Sequence, residues 1–156
     1  LVAAAPALGA AEAAVELFRA RLGQRVLAYS LGDKQADQPA ARVRLATALA
    51  EVRAARAVWE QALAALAAAV AGGAPTVADR MDARLAAAST VRLARQAIST
   101  VCEGSGASVY AETSPLQRLQ RDVEVLKGHV IFDWDRCAEL AGRIALGQDP
   151  SPLDMV

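Results

Sequence analysis

The chain has 156 residues, room for one domain with a real core, and 17 basic side chains balance 17 acidic ones. Zero net charge gives no electrostatic case for nucleic acid or an anionic membrane, and charged residues break up each apolar run, so no stretch reads as a bilayer span. Hydrophobic residues make up 54% but aromatics only 4%, and so much alanine favours closely packed helices over a bulky core.

The opening Leu-Val-Ala-Ala-Ala-Pro has no basic leader and reads as the first turns of a helix, not a signal peptide. A cytoplasmic location is the default. The chain starts with Leu, not Met, as a piece cut from something longer would. Cys102 and Cys137 form no CxxC pair, and no disulfide is demanded at this size.

Leu8, Ala11, Val15, Phe18, Leu22, Val26 and Tyr29 recur at helical spacing and predict a first helix from about Ala7 to Leu31. Gly-Asp-Lys-Gln-Ala-Asp-Gln-Pro breaks the pattern, and Pro39 suits the first turn of a second helix. There Leu45, Leu49, Val52, Arg56, Trp59, Leu63, Leu66 and Val70 form a heptad-like core seam. Its polar member, Arg56, either snorkels past its neighbours or makes an ion pair or subunit contact.

Gly72-Gly73 ends that helix. Thr76 and Asp79 form a capping-box pattern for a third, lined by Val77, Met81, Leu85, Ala88, Val91, Ile98 and Val101 or Cys102. It runs to about Glu103 and is stopped by Gly104 and Gly106. Ser114, Pro115 and Gln117 then give cap, first helical residue and third position of a fourth helix, with Leu116, Leu119, Val123, Leu126 and Val130 on one face. Asp133 caps a short segment from Trp134 to about Leu146 that ends at Gly147, and residues 148–156 form a loose tail. No strand pattern and no repeat competes. The expected fold is all-α: an up-and-down four-helix bundle over residues 1–147 with a short extra C-terminal helix.

Little conventional chemistry is visible. There is no GxxxxGK[ST], no strand-to-helix GxGxxG and no HExxH, and Gly104-Ser-Gly-Ala reads first as a helix terminator. One histidine and two distant cysteines make no metal site, so none is assigned. His129, the sole histidine, is the candidate catalytic group. It could instead be a packed structural imidazole. Favouring chemistry, it stands where helix four gives way to a bend after Gly128, downstream of Arg118, Arg121 and Asp122, with apolar neighbours on either side.

The order of these features resembles the C-terminal helical domain of the acyl-CoA dehydrogenase superfamily over nearly the whole chain. Leu8-Gly9-Ala-Ala is similar to the family's opening, Arg19-Ala-Arg-Leu22-Gly23 to its R-x-x-F-G, and Leu49-Ala-Glu-Val-Arg-Ala-Ala-Arg56 to its second-helix pattern. Gly104-Ser-Gly-Ala stands for the G-G-x-G turn, with Val101 at or near the place of the usual Gln. Pro115-Leu-Gln-Arg118 with Arg121-Asp122 matches P-L-x-R-x-x-R-D, the most specific part. Common acyl-CoA dehydrogenases follow that stretch with an aromatic-Glu-Gly-Thr motif whose glutamate removes a substrate proton. Here the same distance holds Gly128-His129-Val130 and no glutamate, which resembles the flavin-dependent monooxygenase branch, the two-component aromatic hydroxylases.

The resemblance implies hydroxylation of an aromatic or polyketide-like substrate by O2 and reduced FMN or FAD, through a flavin hydroperoxide, with a flavin reductase as partner. It implies that His129 hydrogen-bonds substrate or flavin hydroperoxide, or acts as base for a phenol. Arg19 is the first candidate for a flavin phosphate, against the alternative of a solvated helix face, with Arg42 and Arg44 behind it and the backbone at Gly104 and Ser105 close to the flavin. It also implies missing upstream domains, one N-terminal and helical and one middle and β-rich, and a homotetramer built through this bundle, the isolated domain being inactive. Two readings stay open beside it: an acyl-CoA dehydrogenase or nitrogen- or sulfur-oxidising relative, and a helical interaction module without cofactor.

Overall fold

A computed structural model describes residues 1–28, 30–151 and 153–154. Among the described residues five α-helices form: α1 (Ala5–Gln24), α2 (Pro39–Ala71), α3 (Val77–Ser105), α4 (Pro115–Lys127) and α5 (Trp134–Ala145). Among the described residues there is no strand beyond one isolated bridge, Val26 to Lys34. The all-α bundle with a short fifth helix is therefore as expected.

Alanine sets how the bundle packs. On α1 and the 3-10 turn that leads into it, Ala4, Ala7, Leu8, Ala11, Ala14, Val15, Phe18 and Leu22 are buried at three- and four-residue spacing. Their small methyls let α1 lie close on α3, whose own face is Ala87, Val91, Ala94, Ile98 and Val101. The central helix is α3, which packs against all the other four, while α2 and α4 each lie on both α1 and α3. Burying Cys102 and Cys137 as free thiols completes this core.

Start signals fared differently. Thr76 and Asp79 form the expected reciprocal box, and the Asp133 side chain accepts from the Arg136 N–H at 3.1 Å. Pro115 opens α4, but the Ser114 side chain makes no capping bond. Stop signals shifted more. The first helix ends at Gln24, seven residues early, because Arg25 turns extended at ψ 122°. The chain then doubles back: Leu27 N–H donates to the Asp33 carbonyl, Gln35 N–H to that of Arg25, and Gly32 supplies the left-handed reversal at φ 105°. Val26 is thus 55% exposed and not part of the stripe; Tyr29 lies outside the described residues. Gly104 is inside α3, and Gly106 alone, at φ 75°, ends it.

The heptad seam of α2 is half-satisfied. Val52 is buried and Leu45, Leu49 and Trp59 pack against the core, but Leu63 and Val70 stand exposed. Arg56 does not snorkel: it pairs with Glu12 of α1 and with Glu60 one turn on. By length and composition alone α2 is long and apolar enough to cross a membrane, although Arg56 and Glu60 interrupt its apolar half as the sequence leads one to expect. Only 6% of its most apolar window is buried, so its far half offers an uncovered alanine-rich face. Val77 and Val130 are also exposed rather than core. Nor is the described part of the tail loose, since Asp154 pairs with Arg143 at 2.8 Å and accepts the Ser151 N–H; Pro152, Met155 and Val156 lie outside the described residues.

Candidate functional site

His129 falls two residues beyond α4, in the turn that leads to α5. Its backbone is tied on both sides. The N–H donates to the Leu126 carbonyl at 3.0 Å, and the carbonyl accepts from Phe132 at 2.8 Å and Asp133 at 3.2 Å. The next residues anchor the turn, with Phe132 buried in the core and Ile131 packed against it. The imidazole itself is exposed. Its Nδ1 accepts from the Ile131 N–H at 3.3 Å, and its ring lies 6.1 Å from that of Phe132. The apolar surround expected from Val130 to Phe132 is thus reduced to one flank. This is an imidazole held from below and open above.

Beside the turn a groove of about 430 Å³ runs between α3 and the start of α5, lined by Val91, Arg92, Lys127, Gly128, Phe132 and Trp134 among others. Arg92 stacks on the Trp134 ring at 4.3 Å. Arg95 and Lys127 both pair with Glu124, whose ionised form they favour against the cost of its burial.

The other named residues gather at the opposite end, where α3 finishes. From Val91 to Gly104 at 1.5 Å per residue is roughly 20 Å, so the fold does not bring His129 to them within one chain. Arg19 is exposed on α1 and pairs with Glu16 at 3.4 Å. Arg42 is spent on the Ala36 carbonyl and Asp37, and Arg44 on Glu103. Gly104 lines a groove of about 280 Å³ with Arg44 and Gln35. A Cβ on it would lie 2.6 Å from Cζ of Phe18, so the core already requires this glycine. Ser105 is wholly buried, its hydroxyl donating to the Val101 carbonyl.

Two residues escaped the sequence reading. Arg21, in the last turn of α1, and Arg25, the extended residue that follows the helix, both reach the Ser105 carbonyl, where they meet the negative end of α3. Arg21 also donates to the Ser108 hydroxyl at 2.7 Å. Among the described residues no carboxylate pairs with either, and Arg21 Nε is buried without a partner. Burial and then the Arg25 charge lower the Arg21 pKa. With Gln24 and Ser108 they line a groove of about 580 Å³. Two uncompensated guanidiniums and a hydroxyl form a donor set for an oxyanion such as phosphate. The four-residue spacing of Arg21 and Arg25 was the available signal, but their convergence needed the end of α3. Among the described residues no cluster of acidic, histidine or cysteine side chains could hold a metal.

Residues 1–134 match the family described as acyl-CoA dehydrogenase, C-terminal domain, and the chain belongs to that family. Within it the similarity runs to hydroxylases. Over 95% of the chain it is 30% identical to the oxygenase component of p-hydroxyphenylacetate 3-hydroxylase from Acinetobacter baumannii, covering 35% of that protein. The crystal structure of 3-HSA hydroxylase from Rhodococcus sp. RHA1 superposes with a TM-score of 0.87 at 31% identity, over 99% of this chain and 40% of that one. XiaF from Streptomyces sp., in complex with FADH2 and glycerol, gives 0.88 at 27% identity, over 96% and 38%. The chain therefore spans well under half the length of these relatives.

Proposed function

We propose that this chain is the helical C-terminal part of the oxygenase component of a two-component hydroxylase. A separate reductase delivers reduced FMN or FAD, and O2 supplies one oxygen atom to a small aromatic or polyketide-like phenol. The observation that carries this reading is His129, the sole imidazole, exposed on a fixed turn where Arg121-Asp122 and the family pattern would otherwise lead to a glutamate. Without that carboxylate, abstraction of a substrate α-proton has no base here. The likeness to aromatic hydroxylases over 95% of the chain supports the same choice over a dehydrogenase.

The residues present fit a flavin at its phosphate end. The unpaired cationic groove of Arg21, Arg25 and Ser108, with Arg19 further along α1, has the charge and donors a phosphate needs. Arg42, Arg44 and Ser105 are occupied within the chain and are weaker candidates. When bound, the reduced flavin supplies the oxygen-activating chemistry. The chain supplies position: a ring nitrogen of His129 toward the substrate oxygen, and guanidiniums toward the phosphate. Because these two features lie roughly 20 Å apart in one chain, we infer that they serve different flavins or opposite ends of one, in an oligomer. A cytoplasmic homotetramer assembled through this bundle, with an N-terminal helical and a middle β-domain before it, accounts for both the separation and the uncovered face of α2.

The test uses the full-length protein with reduced flavin, O2 and candidate phenols. His129→Ala should lower product formation by about 100-fold or more, with flavin affinity and oligomeric state unchanged because the side chain is exposed. Unchanged turnover would remove His129 from the reaction. Bleaching of oxidised flavin by an acyl-CoA alone would favour the dehydrogenase reading. No flavin binding in either redox state would leave an interaction module.

A further inference from the structure

We propose that the backbone N–H of Ile131 fixes His129 as its Nε2–H tautomer, so that the neutral ring donates a hydrogen bond and does not act as a base. The functional half of this rests on the hydroxylase reading above; the tautomer does not.

The inference follows from how little the turn can move. The backbone of His129 is held by the Leu126 carbonyl on one side and by the N–H groups of Phe132 and Asp133 on the other. Ile131 is held through its own side chain, which packs against the core cluster, and through its neighbour Phe132, which is buried in it. Its N–H is therefore a fixed donor, and it points at Nδ1 at 3.3 Å. A ring nitrogen that accepts a hydrogen bond carries no proton, so in the neutral ring the proton belongs on Nε2. Moving it to Nδ1 would set two N–H groups against each other. Among the described residues no carboxylate pairs with the ring to pull the proton to the other side, and Phe132 offers it only an aromatic flank.

Nε2 is the ring nitrogen turned away from this tether, on an exposed side chain. A neutral His129 can therefore donate to a substrate oxygen but cannot take a proton from it. The ring favours a phenol bound as its phenolate, the phenolic proton leaving to water. Ile131 is a positioning residue in this scheme, acting through the histidine.

The tautomer is readable by ¹⁵N NMR of histidine-labelled full-length protein, at a pH where the imidazole is neutral. The His129 signals are assigned by their loss in His129→Gln. Wild type should show the Nε2–H form alone. Ile131→Pro, which removes the donor, should release the Nδ1–H form to a detectable level. Should that variant fail to fold, wild type still decides: a comparable population of Nδ1–H overturns the proposal. Turnover gives a second readout. A glutamine amide nitrogen reaches about as far as Nε2 and an asparagine one only as far as Nδ1. His129→Gln should lose about 10-fold and His129→Asn about 100-fold or more. Glutamine no better than asparagine or alanine sinks the donor role. If every variant turns over like wild type while Nε2–H persists, the oxygenase reading fails and the tautomer stands.

Discussion

At the scale of single residues, identity follows from neighbours more than from local rules. Gly104 looks like a loop glycine in the sequence, yet it lies inside α3 against the Phe18 ring. Phe18 is fully buried and cannot swing aside. Gly104→Ala should cost about 2 kcal/mol, visible as a drop in Tm of roughly 4–8 °C. A change within a degree would show that the ring yields. The thiols argue in the same way. Burial, with a smaller push from Glu103, raises the Cys102 pKa to about 11, and Cys137 is fully buried. At pH 8 neither should react with a disulfide reagent until denaturant is added. Rapid labelling of the native protein would contradict this packing.

At the scale of elements, α3 organises the bundle and its N-terminus depends on one reciprocal cap. The Thr76 hydroxyl accepts from the Asp79 N–H while the Asp79 carboxylate accepts from the Thr76 N–H at 2.8 Å. The Thr76 hydroxyl also donates to that carboxylate at 2.7 Å, and this bond first, then the one from the Thr76 N–H, holds the Asp79 pKa below its ordinary 3.8. A carboxylate depressed in the folded state stabilises at pH values above its unfolded pKa, and the gain is lost as pH falls through the folded one. Thr76→Ala should thus be less stable than wild type at pH 7, and the gap should narrow below about pH 4. Denaturant melts at the two pH values measure it; a constant gap would mean that Asp79 is not involved. The same helix shows how far local signals reach. Its start was legible because a capping box is built from residues three apart. The end of α1 was not, because Arg25 leaves the helix for a carbonyl 80 positions away.

At the scale of the whole molecule, the far half of α2 matters most. Leu63 is 41% and Val70 58% exposed, on a helix of 33 residues whose C-terminal half has few fully buried side chains. In the proposed tetramer that face meets another subunit, and alanine methyls let the backbones approach closely. Leu63→Glu with Val70→Glu should shift the full-length protein to smaller species in sedimentation velocity, while circular dichroism keeps its helix content. A tetramer indifferent to both charges would place the interface elsewhere.

The sequence by itself determined the helices and the family. Apolar spacing within one helix, caps three residues apart and the ordered motifs from Leu8 to Asp122 are all local, and local patterns survive without coordinates. The all-α fold, the capping box at Thr76 and the turn at His129 were legible on those terms. Only the tertiary structure decided which side chains are already spent. Arg44 finds Glu103 across two helices, Gly104 serves Phe18, and Arg21 and Arg25 converge with no acid among the described residues to answer them. Such pairings join residues tens of positions apart, and their charge balance is fixed by packing that no periodicity records.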